Sequence, residues 1–584
     1  THAPGSPPVK DLAGNSIAST VSCSFTYDTS SPEVLLVSDI TSPTLGISNV
    51  VSISAYFSET VSPTPTLSIS GLITNTAMSK FSRSPINQIG QLINGSAGDM
   101  FGFYSDLSDS GNRLIVGGAA NNSNAGIAKV YEWNGKQWVQ LGNDITGGAS
   151  NERMGRPVGI SGNGSVIVVG GRGPSNNGIY RIYTLNGNSW SLRATLNGEA
   201  SDDLGNFEHG SIDLSYDGSF FAFGHGQNDA GGNNRGHARI FEWNSSNYVQ
   251  RGSDIDGDID NAHLGSGAPG ISLSKDGKRI VVGLRTRSSN NGMVRVYDWN
   301  GSAWTKVGAD ITDPVDSSGS VFGGSVSISN EGQTIIAGAT SGNNTGLVHI
   351  FTYQLISGIA SWTYKSTIAG SNSGDGFGYS SSINGNGNKI IVGAYTANLN
   401  TGYARIYNWD GTTASQIGSD ILGAATNNYL GGHVTLSANG IAVIGAPFNA
   451  TGGASSGQVK VVGVDRYEYS WDVDSPSAPS NGNYIASVSA VDKVNNAYSG
   501  SESITFTLDT TAPKVTLTNT DRDNIVNVSQ VVTITAGFSE AVTVTPTISI
   551  TGIVTNVIMG LVDYSVSDPV VFSVTVANLG GNKY

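Results

Sequence analysis

Apolar and polar residues alternate in short runs along most of the chain. Ala128-Lys129-Val130-Tyr131-Glu132-Trp133 and Val294-Arg295-Val296-Tyr297-Asp298-Trp299 place every second side chain on one face, the period of a strand with one face buried. Apolar strands such as Leu114-Ile115-Val116-Gly117 and Ile390-Ile391-Val392-Gly393 precede them. Asn134-Gly135, Asn186-Gly187, Asn300-Gly301 and Asp410-Gly411 then supply tight hairpins, because a type I′ turn needs positive φ at both central residues. A fourth strand follows, as in Trp138-Val139-Gln140-Leu141 or Trp304-Thr305-Lys306-Val307. No stretch keeps a period of 3.6, and no apolar run is long enough to cross a membrane as a helix. The expected class is all-β.

These four-strand units recur. A turn glycine returns at Gly111, Gly164, Gly218, Gly277, Gly332, Gly387 and Gly440, and a second series runs through Gly126, Gly178, Gly236, Gly292, Gly346, Gly402 and Gly457. Seven units of about 55 residues between 85 and 463 predict a seven-bladed β-propeller. The seventh unit stops at its third strand, Gln458-Val459-Lys460-Val461-Val462. Ile86 to Ile93, which is similar to Gln416 to Ile421, is expected to supply the missing strand and leave no open edge.

The segments around the ring repeat one another at an offset of 481 residues. Asp28-Thr29-Ser30-Ser31-Pro32 returns as Asp509-Thr510-Thr511-Ala512-Pro513, Phe57-Ser58-Glu59 as Phe538-Ser539-Glu540, and Gly71 to Asn75 as Gly552 to Asn556. One module therefore occurs twice, and the first copy is split by the ring. Residues 29–84 and 464–509 together read as an immunoglobulin-like (Ig-like) β-sandwich of short alternating strands. Residues 1–28 read as the C-terminal strands of such a module and 510–584 as the N-terminal part of a further one; together they match one uninterrupted module in length. Neither fragment can bury its apolar face alone. The expectation is head-to-tail completion, either along a longer chain or between copies. The strand carrying Val21, Phe25 and Tyr27 would be the donor, and the one carrying Val571, Phe572, Val574 and Val576 the acceptor.

Two resemblances go with these readings. Phe101-Gly102, Phe322-Gly323 and Phe377-Gly378, with Gly338-Ala339, Gly393-Ala394 and Gly445-Ala446-Pro447, resemble the FG-GAP repeat of integrin α-chain propellers and related bacterial surface proteins. That resemblance implies a seven-bladed ring, often with calcium loops of spaced aspartates; most units here carry no such loop. Asp11-Leu12-Ala13-Gly14-Asn15 and the Asp-Thr-x-x-Pro linkers resemble the tandem bacterial Ig-like modules of large secreted adhesins.

Composition narrows the function classes. A net charge of -14 argues against nucleic acid and anionic membranes as partners. Cys23 is the sole cysteine, so neither an intrachain disulfide nor a thiolate cage can form. Asp254, Asp256, Asp258 and Asp260 are the densest carboxylate cluster, either oxygen ligands for Ca²⁺ or a solvated loop between blades. No other cofactor is expected. His209, His225 and His237 fall in one unit and could gather into a metal site, but their spacing matches no ligand motif, so ordinary surface or turn histidines are the expected reading. Hydrolase and phosphate-loop motifs are absent, so the chain is expected not to be an enzyme. The resulting expectation is an extracellular, cell-surface structural protein, a repeat or subunit of a bacterial filament or giant adhesin whose partners are copies of itself. The alternative is a lectin-like propeller that binds a glycan or receptor and is carried on Ig-like spacers.

Overall fold

The computed structural model describes the chain except residues 1–30, 41–43, 46–49, 58–60, 81–85, 174–176, 199–209, 230, 316–318, 465–466, 474–479, 492–494, 499, 510, 512–513, 521–530, 539–546, 551–553, 559, 562–569 and 576–584. Side chains at 44, 472, 548–550 and 554–575 are also outside the description. The chain is nearly all-β. It divides into two compact units: Thr1–Thr41 with Val51–Trp471 and Tyr484–Thr505, and Ser42–Val50 with Asp472–Asn483 and Phe506–Tyr584. The division runs through the module expected at 29–84 and 464–509.

In the first unit, seven antiparallel sheets, each built on a path of four strands, follow one another in a propeller-like ring. The first runs Phe101–Leu107, Arg113–Gly118, Ile127–Trp133, Trp138–Gln140. The innermost strand of each sheet packs against that of the next, and His433–Leu436 returns to Phe101–Leu107. Ile86–Gln88 pairs with Gln458–Val464 to complete the last sheet, with Val464 opposite Ile86. The core is correspondingly distributed, with one apolar cluster at each joint between sheets. At the closing joint, Ile441, Val443 and Val461 meet Phe101, Leu114 and Val116.

Glycine sets the spacing of these joints. The glycine of each Phe-Gly or equivalent pair has φ near +85°, as at Gly102 (87°), Gly378 (83°) and Gly431 (89°). Its carbonyl oxygen lies against a glycine of the preceding sheet's second strand: Gly378 on Gly338, Gly431 on Gly393, Gly102 on Gly445. A side chain at either position would force the sheets apart.

The helical segments among the described residues are three or four residues long, and their inner dihedrals are left-handed. Asn122, Ser123 and Asn124 have φ of 45°, 60° and 63°; Asn398, Leu399 and Asn400 have 51°, 57° and 61°. Asparagine tolerates this region better than most residues because its amide bonds locally. These turns are the Asn-rich stretches before the second glycine series, so the absence of a 3.6 period agrees with what forms there.

Before the ring, Val34–Ser38 runs beside Val50–Phe57. Strands from before and after it also pair, Tyr467–Asp472 beside Ser79–Lys80, with Ala486 opposite Ile69. Leu35 and Tyr56 from these strands enter the closing-joint core with Ile89, Trp133 and Trp138. Trp133 Nε1 donates to Leu36 O at 2.7 Å and Ser38 N to Gly135 O at 3.0 Å, so the strand is seated on the first sheet by hydrogen bonds as well as packing. Trp133 and Trp409 are buried, and Trp243 and Trp299 half-buried, at one repeated packing position.

In the second unit, Val515–Asn519, Val531–Phe538, Val570–Thr575 and Gly560–Leu561 form one sheet, and Thr547–Ile550 pairs with Val554–Ile558. Val571, Phe572 and Val574 lie on Val570–Thr575, which pairs with Val531–Phe538. Val21, Phe25, Tyr27 and Val576 lie outside the described residues.

Candidate ligand-binding mouth

The inner strands run in one direction, so their N-terminal ends gather at one mouth of the ring and their C-terminal ends at the other. At the N-terminal mouth the residue before each apolar-Gly pair adopts a left-handed backbone: Met100 (φ 53°), Arg153 (53°), His263 (50°), Val321 (58°) and Tyr429 (55°). Their amides donate to carbonyls of left-handed residues: Ser455 (2.9 Å), Asn124 (2.9 Å), Asn234 (3.1 Å), Asn290 (2.7 Å) and Asn400 (2.8 Å), respectively. For a branched residue such as Val321 this conformation is costly, and it persists because the surrounding sheets dictate it. The backbone is thus held constant while the side chain differs from unit to unit.

A cavity of about 830 Å³ opens between Met100, Phe103, Arg156, Tyr379, Tyr395, Tyr429 and Phe448. Its aromatic rings form a run: Tyr379 to Tyr395 at 4.0 Å, Tyr395 to Tyr429 at 6.0 Å, Tyr429 to Phe448 at 5.2 Å. Arg156 stands over the Phe103 ring, 4.5 Å from its centroid. Burial raises the Tyr395 hydroxyl pKa, Tyr429 adds to this and Arg285 opposes it. Arg153 is held below the usual arginine value by burial and then by Arg156 and Arg172. Among the described residues the lining contains no carboxylate.

Deeper in the ring, a cavity of about 100 Å³ is lined by Asp106, Asp213, Lys275 and His433. Burial pushes Asp106 up to about 7, against the pull of Lys275 and the Ile160 amide. Lys275 is pulled down by burial, but Asp109, Asp213 and Asp106 outweigh this and raise it. At the C-terminal mouth a recess of about 800 Å³ lies among Glu33, Asp109, Asp276, Glu331 and Glu502. Glu33 Oε1 accepts from the Tyr216 hydroxyl at 2.9 Å, and burial raises both Glu33 and Glu502.

The four aspartates of the sequence cluster divide. Asp254 and Asp256 come together with buried His237, their candidate ligand atoms lying within 4.8 Å of one another. Asp254 is already met by His237 Nδ1 (3.4 Å), Arg239 Nε (3.3 Å) and Gln250 Nε2 (2.5 Å). That set fits a cation poorly, because the arginine holds positive charge against the same carboxylate. Asp258 pairs with Arg287 (2.8 Å) and Arg295 (2.7 Å), and Asp260 with Arg235 (2.9 Å). Hydrogen bonds from Arg287 and Arg295 hold Asp258 well below the usual carboxylate range. The histidine expectation needs correction: His225 and His237 are buried and stand opposite each other on neighbouring strands, with the Tyr180 hydroxyl on His225. His209 lies outside the described residues.

The sequence reading missed the mouth. Its residues come from units far apart in the chain, and Tyr379, Tyr395 and Tyr429 carry no common spacing. The available signals were the variable residues on either side of the apolar-Gly pairs: Met100 and Tyr429 precede one, and Phe103, Arg156 and Tyr379 follow one.

No protein-family model matches the chain, and no curated protein matches it. Solved structures that it resembles are propeller-like proteins. One from Bacteroides uniformis, described as a candidate 6-phosphogluconolactonase, is 12% identical over 68% of this chain and 97% of that one, with a TM-score of 0.41. The periplasmic gluconolactonase of Pseudomonas aeruginosa is 12% identical over 68% and 98%, TM-score 0.39. The β-propeller domain of the Trilobed protease from Pyrococcus furiosus is 11% identical over 65% and 95%, TM-score 0.35. One expectation is corrected by these names: enzymes stand among the structures the chain resembles, so a non-enzyme cannot be read from this architecture.

Proposed function

We propose that the chain is an extracellular display protein: an FG-GAP-type seven-bladed β-propeller inserted into an Ig-like module, binding a ligand through the N-terminal mouth of its ring. The observation that carries this reading is the aromatic-lined cavity of about 830 Å³. It has the size and mixed lining of a ligand site, and its half-buried rings present faces that suit a sugar or another flat apolar surface. The strand pairings that cross the insertion support the display role, because strands on either side of the ring join one another. Screening the protein against an immobilised glycan library tests the reading. Binding that is lost in Tyr395→Ala and Tyr429→Ala, with the melting temperature preserved, is expected. Binding that survives both substitutions would place the ligand elsewhere.

A second reading concerns assembly. In the C-terminal sheet Val515 and Leu517, alternate residues of one strand face, are 52% and 59% exposed, and Val531 is 56% exposed. Exposed apolar residues on a strand face invite completion by another module, which supports head-to-tail joining between copies or along a longer chain. Electron microscopy across dilutions, with gels run before and after boiling, tests this. Filaments that fall to single chains on boiling support joining between copies; dispersed monomers would remove it.

A further inference from the structure

Resting on the mouth as the binding site, we infer that it holds an internal stretch of a linear oligosaccharide whose rings turn along the chain, as in an α-1,4-linked glucan, and not a single sugar.

The lining is an arc. Tyr379 lies on Phe377–Ile383 and Tyr395 directly follows Lys389–Ala394, in one sheet. Tyr429 and Phe448 bracket the strands His433–Leu436 and Ile441–Ala446 of the next, and Met100 precedes Phe101–Leu107 of the sheet after that. Three adjoining sheets therefore contribute to one lining. At about 830 Å³ the cavity is several times the size of one hexose, so a single sugar would leave most of the lining against water.

The rings set the repeat. Tyr379 and Tyr395 lie together, centroids 4.0 Å apart, and act as one station. Tyr395, Tyr429 and Phe448 then follow at steps of 6.0 and 5.2 Å, close to the advance from one pyranose to the next along a chain. These rings share no plane: Tyr395 and Tyr429 are turned by 33°, and Tyr429 and Phe448 by 60°. A flat ribbon such as a β-1,4-linked glucan can lie on one of the faces but not on all three. A chain that turns from ring to ring can follow them. A planar aromatic ligand would likewise meet one ring and leave the others uncovered.

Neutral polar groups accompany the faces. Among the described residues the hydroxyls of Tyr395, Tyr429, Thr426 and Ser455 make no hydrogen bond to the protein. Asn427 Oδ1 accepts from Asn400 Nδ2 at 3.1 Å, which leaves the Asn427 amide N–H groups for a ligand. Sugar hydroxyls both donate and accept, so such a set can answer them without a charge. The middle ring is also set before binding, because the Tyr429 amide donates to Asn400 O at 2.8 Å and fixes φ at 55°.

The test is calorimetric titration of the intact chain with maltose, maltotetraose and maltohexaose, with cellotetraose as the flat control. Affinity is expected to rise about ten-fold or more from maltose to maltotetraose, to level off at maltohexaose, and to exceed that for cellotetraose by a similar factor. Tyr429→Ala removes the middle station and should flatten the length dependence. Phe448→Leu, which keeps an apolar side chain in place, serves as the second variant should Tyr429→Ala lower the melting temperature. Equal binding of cellotetraose overturns the turning chain. Equal affinity for maltose and maltotetraose overturns the internal stretch. Failure of all four to bind overturns the inference, and the glycan screen then decides whether the mouth takes another sugar, so the two readings fail separately.

Discussion

A Cβ built on Gly445 would run into the carbonyl oxygen of Gly102, although 343 residues separate the two in sequence. The same approach recurs between Gly393 and Gly431, Gly338 and Gly378, and Gly283 and Gly323. The closing joint is thus built like the others, which is the physical content of the Phe-Gly and Gly-Ala pairs. Backbone meets backbone there, so no flexible side-chain end can yield.

Gly445→Ala should therefore cost about 1–3 kcal/mol or more, because the sheets must separate. The backbone at Gly445 is outside the left-handed region, so the penalty comes from space alone. Gly148→Ala, where a Cβ meets only the end of the Glu152 side chain at 3.7 Å, is the control and should be nearly silent. Thermal unfolding of the two variants checks this; equal melting temperatures would sink the argument.

Trp133→Phe removes the donor to Leu36 O while keeping most of the apolar packing against Leu35 and Tyr56. A loss of about 1 kcal/mol is expected, because a buried acceptor is left unsatisfied. Hydrogen exchange at the Ser38 amide, which donates to Gly135 O, should accelerate. Unchanged exchange there would show that the strand is held by packing alone.

Leu399 is 80% exposed and has φ 57°, so an apolar side chain is held in a left-handed backbone without burial to compensate. Leu399→Asn is expected to stabilise by about 0.5–1 kcal/mol, since asparagine occupies this region with less strain. A lower melting temperature for this variant would contradict the strain account.

Stability should depend on pH in two directions. Burial raises Asp106 to about 7 and also raises Glu33 and Glu502. Each binds its proton more tightly folded than unfolded, so stability falls as pH rises from the unfolded value of about 4 through the folded one. Asp254, Asp258, Asp310 and Asp420 are held low, chiefly by hydrogen bonds from His237, Arg287, Arg295 and Arg405 in that order. Their contribution is present above about pH 4 and is lost as pH falls below it. Burial also lowers His433 to about 4 and lowers His349, which adds stability as pH rises toward about 6.5, so the decline carried by the raised carboxylates is read as the difference between the protein and a variant lacking one of them. In Asp106→Asn that decline should be shallower, on the order of 1 kcal/mol less between about pH 5 and about pH 8. An unchanged slope would remove Asp106 as its source.

Much of the fold was legible because it rests on local chemistry repeated many times. Alternation in Ala128 to Trp133, the Asn-Gly hairpins and the turn glycines each act within a few residues, so a single chain displays them. Strands Val34–Ser38 and Gly482–Ser489 form inside the segments 29–84 and 464–509 that read as short alternating strands. The aspartates at 254, 256, 258 and 260 show where such reading stops. Their spacing was visible, but Arg235, Arg287 and Arg295 reach three different positions from elsewhere in the chain, and only folding decides which carboxylate each meets.

The sequence by itself determined that the chain is made of short strands in repeating four-strand units. That information is carried by period, turn chemistry and self-similarity, all of them local. The tertiary structure alone decided that Tyr379, Tyr395, Tyr429, Phe448 and Arg156 share one mouth, that Lys275 and Asp106 line one small cavity, and that His225 and His237 are buried together. Apart from Arg156 and Tyr379, which each follow an apolar-Gly pair, these groups come from unrelated positions in the chain. Ring closure brings them together, and their charge and burial arise only from neighbours that closure supplies.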